Sequence, residues 1–337
     1  MKTNLRNGYR VLRPQDVLQS FNGTFALDVL EGLSKRPKQI PSQYFYDARG
    51  SDLFRRISKL DEYYLPGCEL EILKNGMESL AEALPRDHFN LVELGAGDGA
   101  KTIIILEYLL ENGFDFEYFP VDICEEAVIN LTQRLSEEFA PGELRVNGLV
   151  AEYFDALRWL ADMDGLKTVV IFLGSSIGNF DGPGARRFLR HLWSSLEDRD
   201  QVLIGFDLKK NIEILNRAYN DAENLTKAFN LNLLDRMNRE LGAEFDRDNF
   251  TFYSQFDVLS GAVESWLVSR KAHEVFIRAL ERSFSFELCE GIHTESSHKY
   301  NNSDIELLAR DTGFVIEKQL FDSRKFFTDS LWRVNKS

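Results

Sequence analysis

The 337-residue chain is short of cysteine, proline, positive charge and long hydrophobic runs, and these shortages exclude several classes of protein. Its three cysteines, Cys68, Cys124 and Cys289, are an odd and widely spaced set, with neither the CxxC spacing of a metal knuckle nor the density of a disulfide scaffold. A reducing compartment follows, and the cytoplasm is the expected location. No apolar stretch approaches the roughly 20 residues needed to span a bilayer, so no membrane partner is expected. Residues 1–10 carry basic side chains without an apolar segment or a small-residue cleavage site behind them, which does not read as a secretory leader. Forty basic residues against 54 acidic ones give a formal charge of -14, which repels a phosphate backbone and argues against nucleic acid as a partner. The eight prolines form no Pro-rich linker, and there is no internal repeat or low-complexity tract.

What is present is an alternation of short apolar runs with helical-period segments, the signature of a parallel sheet with crossover helices. The runs are 91–94, 118–123, 144–150, 169–173 and 202–206, with helical segments at 101–111, 125–139 and 185–196. A helix at 304–310 and strands at 314–320 and 326–334 follow, the last pair antiparallel because residues 321–325 are too few for a crossover. Two segments break the pattern. Residues 1–75 read as helices and turns. Residues 209–299 read as a helix over 211–241, a hairpin of 250–258 and 262–268 about Ser260-Gly261, and a further strand at 283–288. These segments are expected to form an α+β lid domain, 1–75 plus 209–299, inserted into an α/β domain of 76–208 plus 300–337.

The chemistry starts at Glu93-Leu94-Gly95-Ala96-Gly97-Asp98-Gly99-Ala100-Lys101-Thr102, where a strand gives way to a helix. Glycines let the chain turn tightly and let a ligand approach the helix-terminal N–H groups. The spacing fails the dinucleotide fingerprint at Ala100, and Asp98 repels phosphates. A donor with a zwitterionic amino-acid end and a sulfonium, S-adenosylmethionine, fits better, although any tight strand-to-helix turn needs similar residues. Asp122 ends the next strand, where a carboxylate can accept both ribose hydroxyls. Glu152 and Tyr153 follow the third run and could meet an adenine amine and stack on its ring. Asn179, on the small-residue turn after the fourth run, offers a donor and an acceptor for an amino acid.

Several strings resemble the histidine-specific Nα-methyltransferases of ergothioneine biosynthesis. They include Pro41-Ser42-Gln43-Tyr44-Phe45-Tyr46-Asp47, Gly50-Ser51-Asp52-Leu53-Phe54 and Glu62-Tyr63-Tyr64. Further matches are Phe172-Leu173-Gly174-Ser175-Ser176-Ile177-Gly178-Asn179, Arg217-Ala218-Tyr219-Asn220-Asp221-Ala222, Ala228-Phe229-Asn230 and Thr294-Glu295-Ser296-Ser297-His298-Lys299. The resemblance implies a class I S-adenosylmethionine-dependent methyltransferase fold, a Rossmann-like seven-stranded sheet, with a substrate-binding domain inserted. It places Tyr63, Gly95, Lys101, Asp122, Glu152 and Tyr153 on the methyl donor. It places Tyr63, Asn179, Tyr219, Glu295 and Ser297 on the amino acid, with Asn179 and Tyr219 on its carboxylate, Glu295 and Ser297 on an imidazole, and Tyr46 and Phe54 around the reacting amine. The sequence departs from the family after the paired tyrosines, in the glycine loop, at Glu152-Tyr153 and at Ser265, a substrate-side position expected to be larger and apolar.

The implied reaction is methylation of the α-amino group of a free amino acid, foremost L-histidine to its trimethylated form, hercynine. Tryptophan or another aromatic amine is the first alternative and a donor-binding protein without turnover the second. No metal is expected, because His293-x-Glu295-x-x-His298 lacks the facing pair of a helical zinc motif. A monomer is the favoured state.

Overall fold

The computed structural model describes residues 4–6, 9–12, 21–97, 99–161 and 165–336. The chain opens with β1 (Asn4–Arg6), β2 (Tyr9–Val11), α1 (Phe21–Ser34), β3 (Lys38–Gln39), α2 (Ala48–Ile57) and α3 (Leu65–Ala83). Strict alternation follows in β4 (Phe89–Leu94), α4 (Ala100–Glu111), β5 (Phe116–Asp122), α5 (Glu125–Glu138), β6 (Gly148–Val150), α6 (Tyr153–Ala161), β7 (Lys167–Phe172), α7 (Gly182–Ser195) and β8 (Gln201–Asp207). Then come α8 (Ile212–Ala218), α9 (Leu225–Leu241), β9 (Phe250–Asp257), β10 (Ala262–Ser269), β11 (His273–Ile277), β12 (Arg282–Phe286) and β13 (Gly291–His298). The chain closes with α10 (Asn302–Thr312), β14 (Phe314–Phe321) and β15 (Phe327–Val334).

The chain divides into two compact units. The first comprises Met1–Gln15, Leu65–Lys209 and Tyr300–Ser337, and the second Asp16–Tyr64 and Lys210–Lys299. Residues 1–15 and 65–75, read from the sequence with the lid segments, fall in the first unit, and 65–75 open α3, whose Ile72 and Leu73 are buried.

The first unit is built on a sheet of order β1-β2-β6-β5-β4-β7-β8-β15-β14. Strands β6, β5, β4, β7 and β8 are parallel, whereas β15 runs antiparallel to both β8 and β14. The seven strands from β6 to β14 are the expected class I methyltransferase sheet. Strand β2 pairs in parallel with β6 and β1 pairs antiparallel with β2, which widens the sheet to nine strands. Three-residue strands are too short to show an alternation, so this extension leaves no sequence signal. Strands β4 and β8 are buried along their whole length, which is why they read as continuous apolar runs with helices over both faces. The order reverses at β4, between β5 and β7, so the carboxyl ends of these strands form the crevice where open α/β sheets bind ligands.

The second unit combines a four-stranded sheet, β3-β13-β10-β9, with the ribbon β11-β12 and helices packed on them. Phe45, Leu233, Met237, Leu267 and Ile292 are fully buried in its core. The single helix expected over 211–241 is broken: Asn224 takes a left-handed conformation, and the Asp221 carboxylate accepts the backbone N–H groups of Leu225 and Thr226, both at 2.8 Å. This break sets Tyr219 at the end of α8. The hairpin forms as expected, with Ala262 opposite Asp257 and Ser269 opposite Phe250. Among the described residues, no helix is long and apolar enough to cross a membrane.

Candidate active site

In the first unit, the turn from β4 to α4 is shaped by close approach. Gly95 adopts φ +74°, and a Cβ there would stand 2.9 Å from the Tyr153 hydroxyl, so only glycine fits. Its N–H donates to the Val121 carbonyl at 2.9 Å, pinning the turn to the end of β5. Asp122, the last residue of β5, accepts the Cys124 N–H at 2.8 Å. Burial raises its carboxyl above the usual range, opposed by the amides of Cys124 and Ile123. Ala96, Gly97, Pro120 and Asp122 lie together about this turn. Asp98, read as the phosphate-repelling member of the loop, lies outside the described residues. Tyr153 opens α6 and is partly buried against Phe172 and Phe188, with ring centroids 6.2 and 6.5 Å away. Its phenol is pushed up by burial and by the charges of Asp122 and Glu152. Glu152, exposed just before α6, accepts the Ala156 N–H on its carbonyl.

Glu93 and Lys101 support this turn. The buried Glu93 carboxylate accepts Thr102 Oγ1 at 2.6 and 2.7 Å and the Tyr118 hydroxyl, tying β4 to α4 and β5. Burial pushes Glu93 up to about 7 against the hydrogen bonds of Thr102 and Tyr118 and the charge of Lys101. Lys101 Nζ sits 2.6 Å from Glu69 Oε2, while Glu69 Oε1 accepts the Gly174 N–H at 2.7 Å. Burial pulls the ammonium down, but Glu69, Glu93 and Asp329 outweigh it and hold it above its ordinary value. Lys101 is expected from the family resemblance, whereas Glu69, the buried carboxylate that links it to the turn after β7, carries no sequence signal. Asn179 ends the 3-10 turn Ser176–Asn179 after left-handed Ser175, and is exposed.

The second unit gathers the residues assigned to the amino acid. Ser265 of β10 lies directly opposite Glu295 of β13, with Ser254 of β9 on Ser265's other side. Cross-strand partners share a face, so these three and Ser297, which pairs with Val263, line one side of the sheet. Tyr219 Oη and Ser297 Oγ are 2.7 Å apart. The Tyr219 ring meets Tyr63 edge-on at 5.9 Å, Tyr63 meets Phe54 at 6.1 Å, and Phe54 meets Tyr46 at 5.5 Å. Phe229 of α9, which carried no assigned role in the sequence, completes this wall at 5.6 Å from Tyr46 and 5.9 Å from Phe54. Burial pushes the partly buried Glu295 carboxyl up to about 7, countered by the charges of Lys299 and His293, with Glu264 adding to the rise. His293 turns to Glu264 instead, Nε2 to Oε2 at 2.6 Å, and its ring lies tilted against Trp266, centroids 4.7 Å apart. No group of three metal-ligating side chains occurs among the described residues.

Ser265 is fully buried, its hydroxyl 3.4 Å from that of Ser254, so the small residue at this position leaves a polar floor beside Glu295. The loop carrying Tyr46 is anchored by Asp47, which accepts Gly50 N–H at 2.6 Å, Asn232 at 2.8 Å and Arg239 at 2.6 Å. A Cβ on Gly50 would lie 1.8 Å from the Phe45 carbonyl oxygen. Gly50→Ala is therefore expected to shift this loop, costing about 1 to 3 kcal/mol in urea unfolding, and to lower turnover more than donor affinity. Wild-type stability in that variant would show that the loop yields without strain.

A family model described as "Histidine-specific methyltransferase, SAM-dependent" matches residues 25–334. The Histidine N-alpha-methyltransferase of Mycolicibacterium smegmatis is 34% identical over 278 residues, 82% of this chain and 85% of that protein. Its namesake from Mycobacterium tuberculosis is 35% identical over 274 residues, covering 81% and 83% of the two chains. The Ergothioneine biosynthesis protein 1 of Schizosaccharomyces pombe is 32% identical over 274 residues, 80% of this chain and 35% of that longer protein.

Proposed function

The chain belongs to the histidine-specific, S-adenosylmethionine-dependent methyltransferase family, and on that premise we propose that it methylates the α-amino nitrogen of free L-histidine to give hercynine, a step of ergothioneine biosynthesis. The observation that carries the histidine reading is the shared face of Glu295, Ser265 and Ser297, joined through Tyr219 to the wall of Tyr63, Phe54 and Tyr46. A carboxylate there accepts an imidazole N–H and a hydroxyl meets the second ring nitrogen. Tyr219 holds the α-carboxylate, to which Asn179 is also assigned by resemblance, and the aromatic wall surrounds the amine.

In the first unit, Asp122 takes the ribose hydroxyls, the Gly95 turn makes room for the amino-acid end of the donor, and Lys101 offers that end a cation. Glu152 and Tyr153 border the adenine. When bound, S-adenosylmethionine supplies an electrophilic methyl on a sulfonium. The chain's own residues hold the amine in line and exclude water, since no covalent step on the protein is required. An α-amine is mostly protonated at neutral pH, so a proton must leave before each transfer, and the Tyr46 hydroxyl is the relay assigned to it. The third transfer makes a quaternary ammonium, which aromatic faces stabilise by roughly 0.5 to 2 kcal/mol.

The test is to incubate the protein with labelled S-adenosylmethionine and the twenty free amino acids and identify the labelled product by mass. Trimethylated histidine is expected, whereas a labelled tryptophan product would replace this reading. A time course of mono-, di- and trimethylated histidine should separate the wall residues. Tyr46→Phe is expected to slow the three transfers unequally and Phe54→Ala to slow the last by up to about thirtyfold. Unchanged proportions in both variants would remove these residues from the amine.

A further inference from the structure

Lys299 is a buried ammonium within the substrate face. It lies one residue past β13 and continues the alternation Glu295, Ser297, Lys299. Its Nζ donates to Ser297 Oγ at 2.7 Å and to Tyr219 Oη at 2.9 Å, and those two oxygens are 2.7 Å from each other. An ammonium only donates, so each hydroxyl oxygen spends a lone pair on it. One hydroxyl hydrogen lies between the two oxygens, and the other must point out of the triangle. Donation into an oxygen polarises its O–H and strengthens it as a donor, and a charge this buried is poorly screened. The triangle is therefore built to meet an acceptor, and best of all an anion.

We propose that Lys299 is the residue that makes this site specific for an amino acid with a free α-carboxylate rather than for the corresponding amine, acting through the Tyr219 hydroxyl as a positioning residue. The inference rests on the reading above that Tyr219 holds the carboxylate. Neutralising Lys299 also alters Glu295, whose carboxyl it helps to keep ionised. That effect falls on the imidazole and so acts alike on ligands that share the ring.

Histidine and histamine differ only in the carboxylate, and their binding to the full chain in the presence of S-adenosylhomocysteine can be measured by calorimetry for wild type, Lys299→Met and Lys299→Arg. Wild type should prefer histidine. Lys299→Met should lose histidine affinity by about thirtyfold while histamine changes by less than about threefold, so that discrimination collapses. Lys299→Arg, which keeps the charge, should restore much of the preference. S-adenosylhomocysteine affinity should be the same in all three, which reports an intact fold. Equal losses for both ligands, or rescue by neither charge nor size, would overturn the specificity role. Wild type binding neither ligand would instead overturn the histidine reading itself.

Discussion

Glu295→Ala is expected to lower kcat/KM for histidine by roughly ten- to hundredfold, because a ring N–H left unpaired in a buried site costs about 1 to 3 kcal/mol. The same variant should gain relative activity on larger apolar amino acids, tryptophan above all, since Ser265 opposite it is already small. Undiminished histidine preference would mean that another side chain reads the ring. Glu295→Gln adds a pH signature. In the reading proposed here the ionised carboxylate accepts the imidazole N–H, so histidine affinity should rise as pH passes through about 7, where burial has pushed this group, and the rise should shrink in the Gln variant. The substrate's own imidazole titrates nearby, in both proteins alike. Stability runs the other way. The folded chain holds this proton more tightly than the unfolded one, so the contribution is full below 4.5 and lost as pH rises towards about 7. Ligand-free Glu295→Gln should therefore melt higher than wild type above pH 7 while recognising histidine less well. Equal melting temperatures at pH 8 would show that the carboxylate is not strained by its surroundings.

Asp122→Ala carries the second large effect. Removing the carboxylate proposed to accept the ribose hydroxyls should weaken donor binding by about 1.5 to 3 kcal/mol, tenfold or more in Kd, measured by calorimetry with S-adenosylhomocysteine. Burial already raises this carboxyl, and the amides of Cys124 and Ile123 hold it against that pressure. Asp122→Asn keeps the shape and tests the charge, and it is expected to fall between wild type and Ala. An unchanged Kd in both variants would take Asp122 off the ribose.

Much of the first unit was legible because its signals are local. Strands β4, β5, β7 and β8 each hold a short run rich in apolar residues, and the turn at Gly95 is set by a left-handed backbone that glycine adopts without strain. Helix α6, which opens at Tyr153, is not among the helical segments expected from the sequence. The run 144–150 was longer than the strand it holds, Gly148–Val150, with Val146 making only an isolated bridge to Tyr118.

The face of Glu295 and Ser297, proposed to meet the substrate, was legible only as a string of residues resembling a family, because β13, which carries both, does not look like a strand. Its sequence, Gly291-Ile292-His293-Thr294-Glu295-Ser296-Ser297-His298, is mostly polar, and a bulge between Ser265 and Trp266 on the pairing resets the alternation at Thr294. Thr294 is buried and donates to Asn230 of α9 at 2.7 Å, a contact spanning 64 residues of sequence. By itself the sequence determined the order of the parallel strands' runs, the glycine turn and the chemistry available at each strand end, since those follow from the properties of neighbouring residues. Tertiary structure alone decided that Ser265 faces Glu295, that Phe229 joins Tyr46 and Phe54, and that Lys299 stands behind Tyr219. Such juxtapositions depend on strand register and helix packing, which are fixed by the summed burial of a whole core and not by any one stretch of chain.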